Sequence, residues 1–133
     1  MRIILDTNLW ISYLISNRFL KLDELILKDQ ITILFSEELF EEFIEVAKRP
    51  KFKKYFSEKD LDNLLLVFNA YAALVNIKSD VQLCRDPKDN FLLNLAIDGE
   101  ADFLITGDND LLIIKNLEKT EILTYREFEN RLK

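Results

Sequence analysis

Short apolar runs with strand character recur at Arg2–Leu5, Ile31–Phe35, Phe103–Thr106 and Glu121–Thr124, with a shorter candidate at Leu74–Ile77. Runs of this length, rich in branched and aromatic residues, suit a pleated backbone and are too short for stable helices. Between them the apolar positions follow helical spacing. Helices are predicted over Leu9–Ser16, Leu20–Lys28, Glu37–Lys48, Glu58–Ala73, Asn90–Asp98 and Tyr125–Leu132, with Gly99 expected as the C′ residue that ends the fifth. Strands alternating with helices of this length imply right-handed βαβ units. The expected fold is therefore α/β, with a mainly parallel central sheet of four to five strands covered on both faces. Only two glycines and two prolines occur, and no internal repeat or low-complexity linker is visible.

A length of 133 residues with 49% apolar content fits one domain over 1–133. Charges interrupt every apolar stretch well short of the roughly 20 residues that a membrane span needs, so a soluble chain is expected. The opening Met1-Arg2 and apolar run superficially suggest a signal peptide, but Asp6 and Asn8 lie inside it and no small-residue cleavage site follows. Cys84 is the only cysteine, which excludes an intramolecular disulfide and leaves the cytoplasm as the default compartment.

Histidine is absent. That removes Ser-His and Cys-His nucleophilic machinery and the common zinc sites, leaving carboxylate chemistry. Oxygen-only ligands suit hard cations such as Mg²⁺ or Mn²⁺. The net charge of −6 argues mildly against a passive nucleic-acid binder, but bound cations would offset part of it in a metal enzyme.

The acids fall at telling places. The first strand runs directly into Asp6-Thr7-Asn8, and Phe103-Leu104-Ile105-Thr106-Gly107-Asp108 repeats the pattern a hundred residues later. In open parallel sheets, ligand sites form at the carboxyl ends of strands, so Asp6 and Asp108 stand on the same sheet edge. Gly107 permits a sharp exit from the strand, and Asp110 adds an acid one residue beyond Asp108. In the third helix Ser36 reads as N-cap, with Glu37 and Glu38 in the positive first turn. Glu42 lies at the border of that helix's buried face, beside Leu39 and Val46, where it could reach a site or simply face solvent. In Cys84-Arg85-Asp86-Pro87-Lys88-Asp89-Asn90, Asp86 and Asp89 read first as helix caps, although a capping acid can also be a metal ligand.

The segment Lys48-Arg49-Pro50-Lys51-Phe52-Lys53-Lys54-Tyr55 packs Lys48, Arg49, Lys51, Lys53 and Lys54 around two aromatics. It could meet phosphates and unstacked bases, or be a basic helix end that complements the macrodipole. Trp10, Tyr13, Phe40 and Phe43 fall at helical spacing and read as core. The amphipathic segment Leu61–Leu74 reads as core first and as an interaction face second.

In the order and spacing of these pieces the chain resembles the PIN-domain family of metal-dependent nucleases, in particular the small stand-alone (VapC-type) toxins of toxin–antitoxin pairs. The resemblance spans essentially the full length. It rests on Leu5-Asp6-Thr7-Asn8, on Ser36 through Glu42 leading to Arg49-Pro50-Lys51-Phe52, on Arg85-Asp86-Pro87-Lys88-Asp89 followed by Ala96, and on Ala101 through Leu111. It implies that Asp6, Glu42, Asp89 and Asp108 form an acidic quartet around one or two Mg²⁺ or Mn²⁺ ions. Asp89 takes the third place over Asp86 because the family acid precedes a small helix residue, here Ala96, by seven positions. Asp110 resembles an accessory acid, and Asn8 and Thr106 the polar residues that orient the ligands.

The function so implied is hydrolysis of RNA phosphodiester bonds by a cytoplasmic toxin restrained by a cognate antitoxin, in a chain that pairs as a homodimer. Asp6, Asp89 and Asp108 would ligate metal, while Glu42 would hold a second ion or orient the attacking water. Two other readings share the fold: a nuclease of RNA processing or of structured DNA, and a non-catalytic PIN scaffold. A haloacid-dehalogenase-type phosphatase also begins with strand and Asp, but needs a second Asp where this chain has Asn8. A receiver domain would want paired acids after its first strand, which are likewise missing.

Overall fold

The computed structural model describes residues 1–15 and 20–132. Ser16, the predicted end of the first helix, and the side chains of Leu61, Leu64, Leu65 and Val67 in the predicted interaction face lie outside the described residues.

Among the described residues six strands form one sheet: β1 (Arg2–Leu5), β2 (Thr32–Phe35), β3 (Ala72–Leu74), β4 (Phe103–Ile105), β5 (Asn116–Leu117) and β6 (Thr120–Leu123). Their spatial order is β3-β2-β1-β4-β6-β5. The first four and β6 pair in parallel, while β5 returns antiparallel beside β6 at the edge. The helices are α1 (Thr7–Ile15), α2 (Leu20–Leu27), α3 (Glu37–Ala47), α4 (Glu58–Tyr71), α5 (Asn90–Asp98), α6 (Asn109–Leu112) and α7 (Tyr125–Arg131). Single 3₁₀ turns occupy Pro50–Phe52 and Pro87–Asp89.

The central strands are apolar at successive positions because both sheet faces are covered. After the exposed first residue, β1 and β2 are buried throughout. Alternation along β2 sends Phe35 and Leu34 to opposite faces. Phe35 meets Phe68 of α4 edge-on at 5.3 Å between ring centroids, and Trp10 of α1 stacks on the same ring at 4.1 Å. Phe40 and Phe43 of α3 also present their rings to Phe68, so one aromatic cluster ties α1, α3 and α4 to this face. On the other face Leu34 meets the end of α5 at Gly99, where an added Cβ would lie 2.8 Å from Leu34 Cδ1. Glycine is needed here for close approach. Its φ is −86°, and the left-handed residue that follows the helix is Glu100, at φ 50°, so the expected C′ position lies one residue later than predicted.

Two stretches differ from the pattern-based expectation. The third strand is Ala72–Leu74 and not Leu74–Ile77, because α4 passes into it at Ala72 with no intervening breaker. Residues 76–84 then run along α5 outside the sheet, held by a polar ladder along one stripe of that helix. Asp98 accepts from the amides of Lys78 and Ser79, Asn94 Oδ1 from Val81 N at 2.6 Å, and Asn90 Oδ1 from Cys84 N at 2.9 Å. Side-chain acceptors spaced one helical turn apart thus replace the sheet partners that this segment lacks. The short α6 and the two-residue β5 were not predicted; both are below the length at which periodicity is visible.

Candidate active site

The chain fills the sheet leftward from β1 through β2 to β3, then returns to the other side of β1 for β4. This reversal places a topological switch point between β1 and β4, where a crevice opens beyond the strand ends. Leu5 is paired with Ile105, so the two strands release Asp6 and Thr106 side by side. The adjacency of the two acid-bearing exits, invisible in the sequence, follows from this pairing.

Each exit acid is fixed by the helix it begins. Asp6 Oδ1 accepts from Leu9 N at 2.9 Å, capping α1, and Asp108 Oδ1 accepts from Asp110 N at 2.9 Å, capping α6. Thr106, fully buried, links them: its hydroxyl donates to Asp6 Oδ2 at 2.6 Å and accepts from Asp108 N at 3.0 Å. Asp6 is only 8% exposed. Burial raises its pKa above the ordinary carboxylate value, partly opposed by donors from Thr106, Leu9 and Gly107, and the Asp108 charge adds to the rise.

Asp86 and Asp89, ambiguous in the sequence, separate here. Asp86 is the cap of the 3₁₀ turn, accepting from Lys88 N at 3.3 Å. Asp89 makes no side-chain cap and instead lines the cleft with Asp6 and Asp108. Its pKa is pushed up to about 7, first by desolvation, then by a hydrogen bond with Asp108 and by the charges of Asp108, Asp86 and Glu42.

Glu42 enters from α3, whose start is set by Ser36 Oγ accepting from Leu39 N at 3.2 Å. Its carboxylate is held by a hydrogen bond from the Thr7 hydroxyl. Thr7 is buried, lines the cleft and was overlooked in the sequence. Its only signal there was a hydroxyl directly after the strand-end acid.

The resulting cleft, of about 490 Å³, is lined by Asp6, Glu42, Asp89 and Asp108, with Thr7, Asn8 and Ser12 as polar neighbours. Leu9, Val46, Leu92 and Leu111 supply apolar wall, and Arg49 stands on the rim. Asp110 does not line it: Arg85 donates to its Oδ1 through Nε at 3.0 Å and approaches through Nη2 at 2.8 Å. Of the basic run, only Arg49 reaches the cleft. Lys48 ends α3, while Lys51 and Lys54 sit 5.0 Å from the ring centroids of Phe52 and Tyr55 respectively, and Lys53 is exposed. Phe52 packs against the core, leaving Tyr55 as the exposed ring of the pair.

Among the described residues, no three acids already stand in a geometry that would enclose a metal ion. The donor set nevertheless fits a hard divalent cation. It is all oxygen, it opens on one cleft, and the Asp89 pKa is raised in part by neighbouring carboxylates whose charge a cation would offset.

Residues 2–110 match the family described as PIN domain. Over 122 residues the chain is 30% identical to an uncharacterised protein of Methanocaldococcus jannaschii, covering 90% of this chain and 78% of that relative. Among solved structures it is similar to a chain in the crystal structure of VapBC2 from Rickettsia felis bound to a DNA fragment from their promoter. That likeness has a TM-score of 0.57 and 18% identity, and covers 92% of this chain and 98% of the other.

Proposed function

The chain belongs to the PIN-domain family, and from that premise we propose that its carboxylate cleft is the active centre of a metal-dependent endoribonuclease, the toxin of a toxin–antitoxin pair acting in the cytoplasm. The observation that carries this reading is the lining of a single cleft, at the β1–β4 switch point, by Asp6, Glu42, Asp89 and Asp108. The fold shared with a VapBC2 chain supports a cognate antitoxin as partner.

Hydrolysis of a phosphodiester requires water to attack phosphorus in line as the bond to the leaving oxygen breaks. Asp6, Asp89 and Asp108 would hold Mg²⁺ or Mn²⁺, which when bound supplies the charge that activates water and stabilises the departing oxygen. The Asp6 carboxylate is held by its cap and by the Thr106 hydroxyl, which also accepts from the Asp108 backbone amide, while the Asp108 carboxylate is held by its own cap. Glu42, held by the Thr7 hydroxyl, would hold a second ion or orient the attacking water and accept its proton. Asn8, exposed on the cleft wall, offers an amide to the substrate. Asp110 acts at one remove, holding Arg85 beside the start of α6. Arg49 on the rim, continued by Lys48, Lys51, Lys53 and Lys54, would draw in the RNA backbone.

The test is cleavage of single-stranded RNA, tRNA and flap DNA in Mg²⁺, Mn²⁺ or chelator, by wild type and Asp6→Asn. RNA should be cut only with metal, and Asp6→Asn should lower the rate by about a hundredfold or more. Cleavage confined to flap DNA would move the function to structured DNA, and metal binding with no cleavage of any substrate would leave a scaffold. The product of an adjacent reading frame should co-purify with the chain and inhibit it, and light scattering should give twice the chain mass.

A further inference from the structure

Gly107 lies between Thr106, which positions both exit acids, and Asp108 itself. A glycine at such a place can answer to backbone conformation, to packing or to a ligand. Conformation does not require it, since Gly107 is not at positive φ; the left-handed positions found are Asp29, Glu100, Lys115 and Glu118. Packing does not require it either: a Cβ built at Gly107 meets nothing within 4 Å, whereas one at Gly99 would strike Leu34 Cδ1 and Leu95 O at 2.8 Å each. Gly107 is exposed, and the space it borders is the carboxylate cleft. A side chain here would therefore strike neither fold nor neighbour, and the open space that Gly107 borders is the cleft.

We propose that Gly107 is a specificity-determining position, a bare stretch of backbone against which the sugar-phosphate chain of a single-stranded nucleic acid lies, so that a phosphodiester can come within reach of Asp6 and Asp108. The proposal rests on the nuclease reading above and adds to it a steric requirement at a residue that bears no functional group. A larger side chain at position 107 excludes the backbone of the substrate while leaving the carboxylates and their hydrogen bonds in place.

The experiment compares wild type, Gly107→Ala and Gly107→Val as full chains. Melting temperature and Mn²⁺ affinity are measured by calorimetry, binding of a short single-stranded RNA in Ca²⁺ by fluorescence anisotropy, and cleavage by steady-state kinetics in Mn²⁺. Both variants should melt no lower than wild type and keep its Mn²⁺ affinity. RNA affinity and kcat/KM should fall in order of side-chain size, reaching about a hundredfold for Gly107→Val, the scale expected when a reacting group is displaced by about 1 Å. Should Gly107→Val fail to fold, Gly107→Ala alone must show the same split, with RNA affinity lower and Mn²⁺ affinity unchanged. Wild-type kcat/KM in the folded variants, or a loss that tracks falling melting temperature or Mn²⁺ affinity, overturns the proposal while leaving the nuclease reading intact. Wild type that neither binds nor cuts RNA overturns both.

Discussion

Asp89 lines a cleft with Asp6, Glu42 and Asp108, and the proton that its raised pKa retains carries a pH signature. The Asp89 pKa rises from an ordinary 3.8 to about 7, so the folded chain binds this proton more tightly than the unfolded chain does. Its contribution to stability is complete below about pH 4 and is lost as pH rises through 7. The raised pKa of Asp6 acts in the same direction. The metal-free protein should therefore melt lower at pH 8 than at pH 5, and Mn²⁺ should raise the melting temperature more at pH 8, where it no longer competes with the proton. Calorimetry with and without Mn²⁺ checks this; equal metal-induced shifts at both pH values would contradict it. Thr7→Val removes the donor to Glu42 at nearly constant shape. It should cut kcat about 10- to 100-fold with KM little changed, the range seen when a group that orients a ligand is removed. At this scale the sequence was legible where chemistry coincides with chain punctuation: Asp6 and Asp108 stand at strand exits. Thr7 was not, because its role depends on Glu42 being brought across from another helix.

Among the elements, α5 carries the most structural responsibility for its length. Its inner face buries Leu92, Leu93, Leu95 and Ala96, while Asn90, Asn94 and Asp98 hold the extended residues 78–84 in place by their backbone amides. The turn that delivers Asp89 follows that segment directly. The end of α5 holds a correctable strain, since Glu100 takes a φ of 50°, where a side chain is disfavoured. Glu100→Gly should raise stability by roughly 0.5–1 kcal/mol, the reverse of placing a side chain at such a position. Chemical denaturation measures it, and a destabilised variant would show that Glu100 makes a compensating contact. The long helices and central strands were readable from apolar spacing alone. Ala72 and Ala73 were not readable as strand, because alanine continues a helix as readily, and what makes them strand is pairing with Ile33 and Leu34. The segment after them has no signal of its own, its conformation being dictated by acceptors on a helix still to come.

For the molecule as a whole, the alternation of strands and helices made a mainly parallel sheet legible, while the order β3-β2-β1-β4-β6-β5 was not. That order is set by pairing between strands a hundred residues apart, and it brings the two acidic exits together. It also sets an electrostatic problem, because a chain of net charge −6 concentrates carboxylates where a polyanion would have to bind. The exposed basic segment after α3, which touches the cleft through Arg49, is the natural counterweight. Reversing Lys51, Lys53 and Lys54 to glutamate should weaken RNA binding and flatten its salt dependence, by up to about 0.7 in log–log slope for each phosphate no longer neutralised. Unchanged affinity would remove this segment from the substrate path. The central claim, that these carboxylates hold the cation that cuts RNA, is tested most directly by stripping the protein with chelator and adding back Mn²⁺ in a single-turnover RNA cleavage assay. Wild type should be silent after chelation and active again with Mn²⁺, and Asp108→Asn should remain silent in both. Cleavage that survives the chelator, or that Asp108→Asn performs as well as wild type, would contradict it.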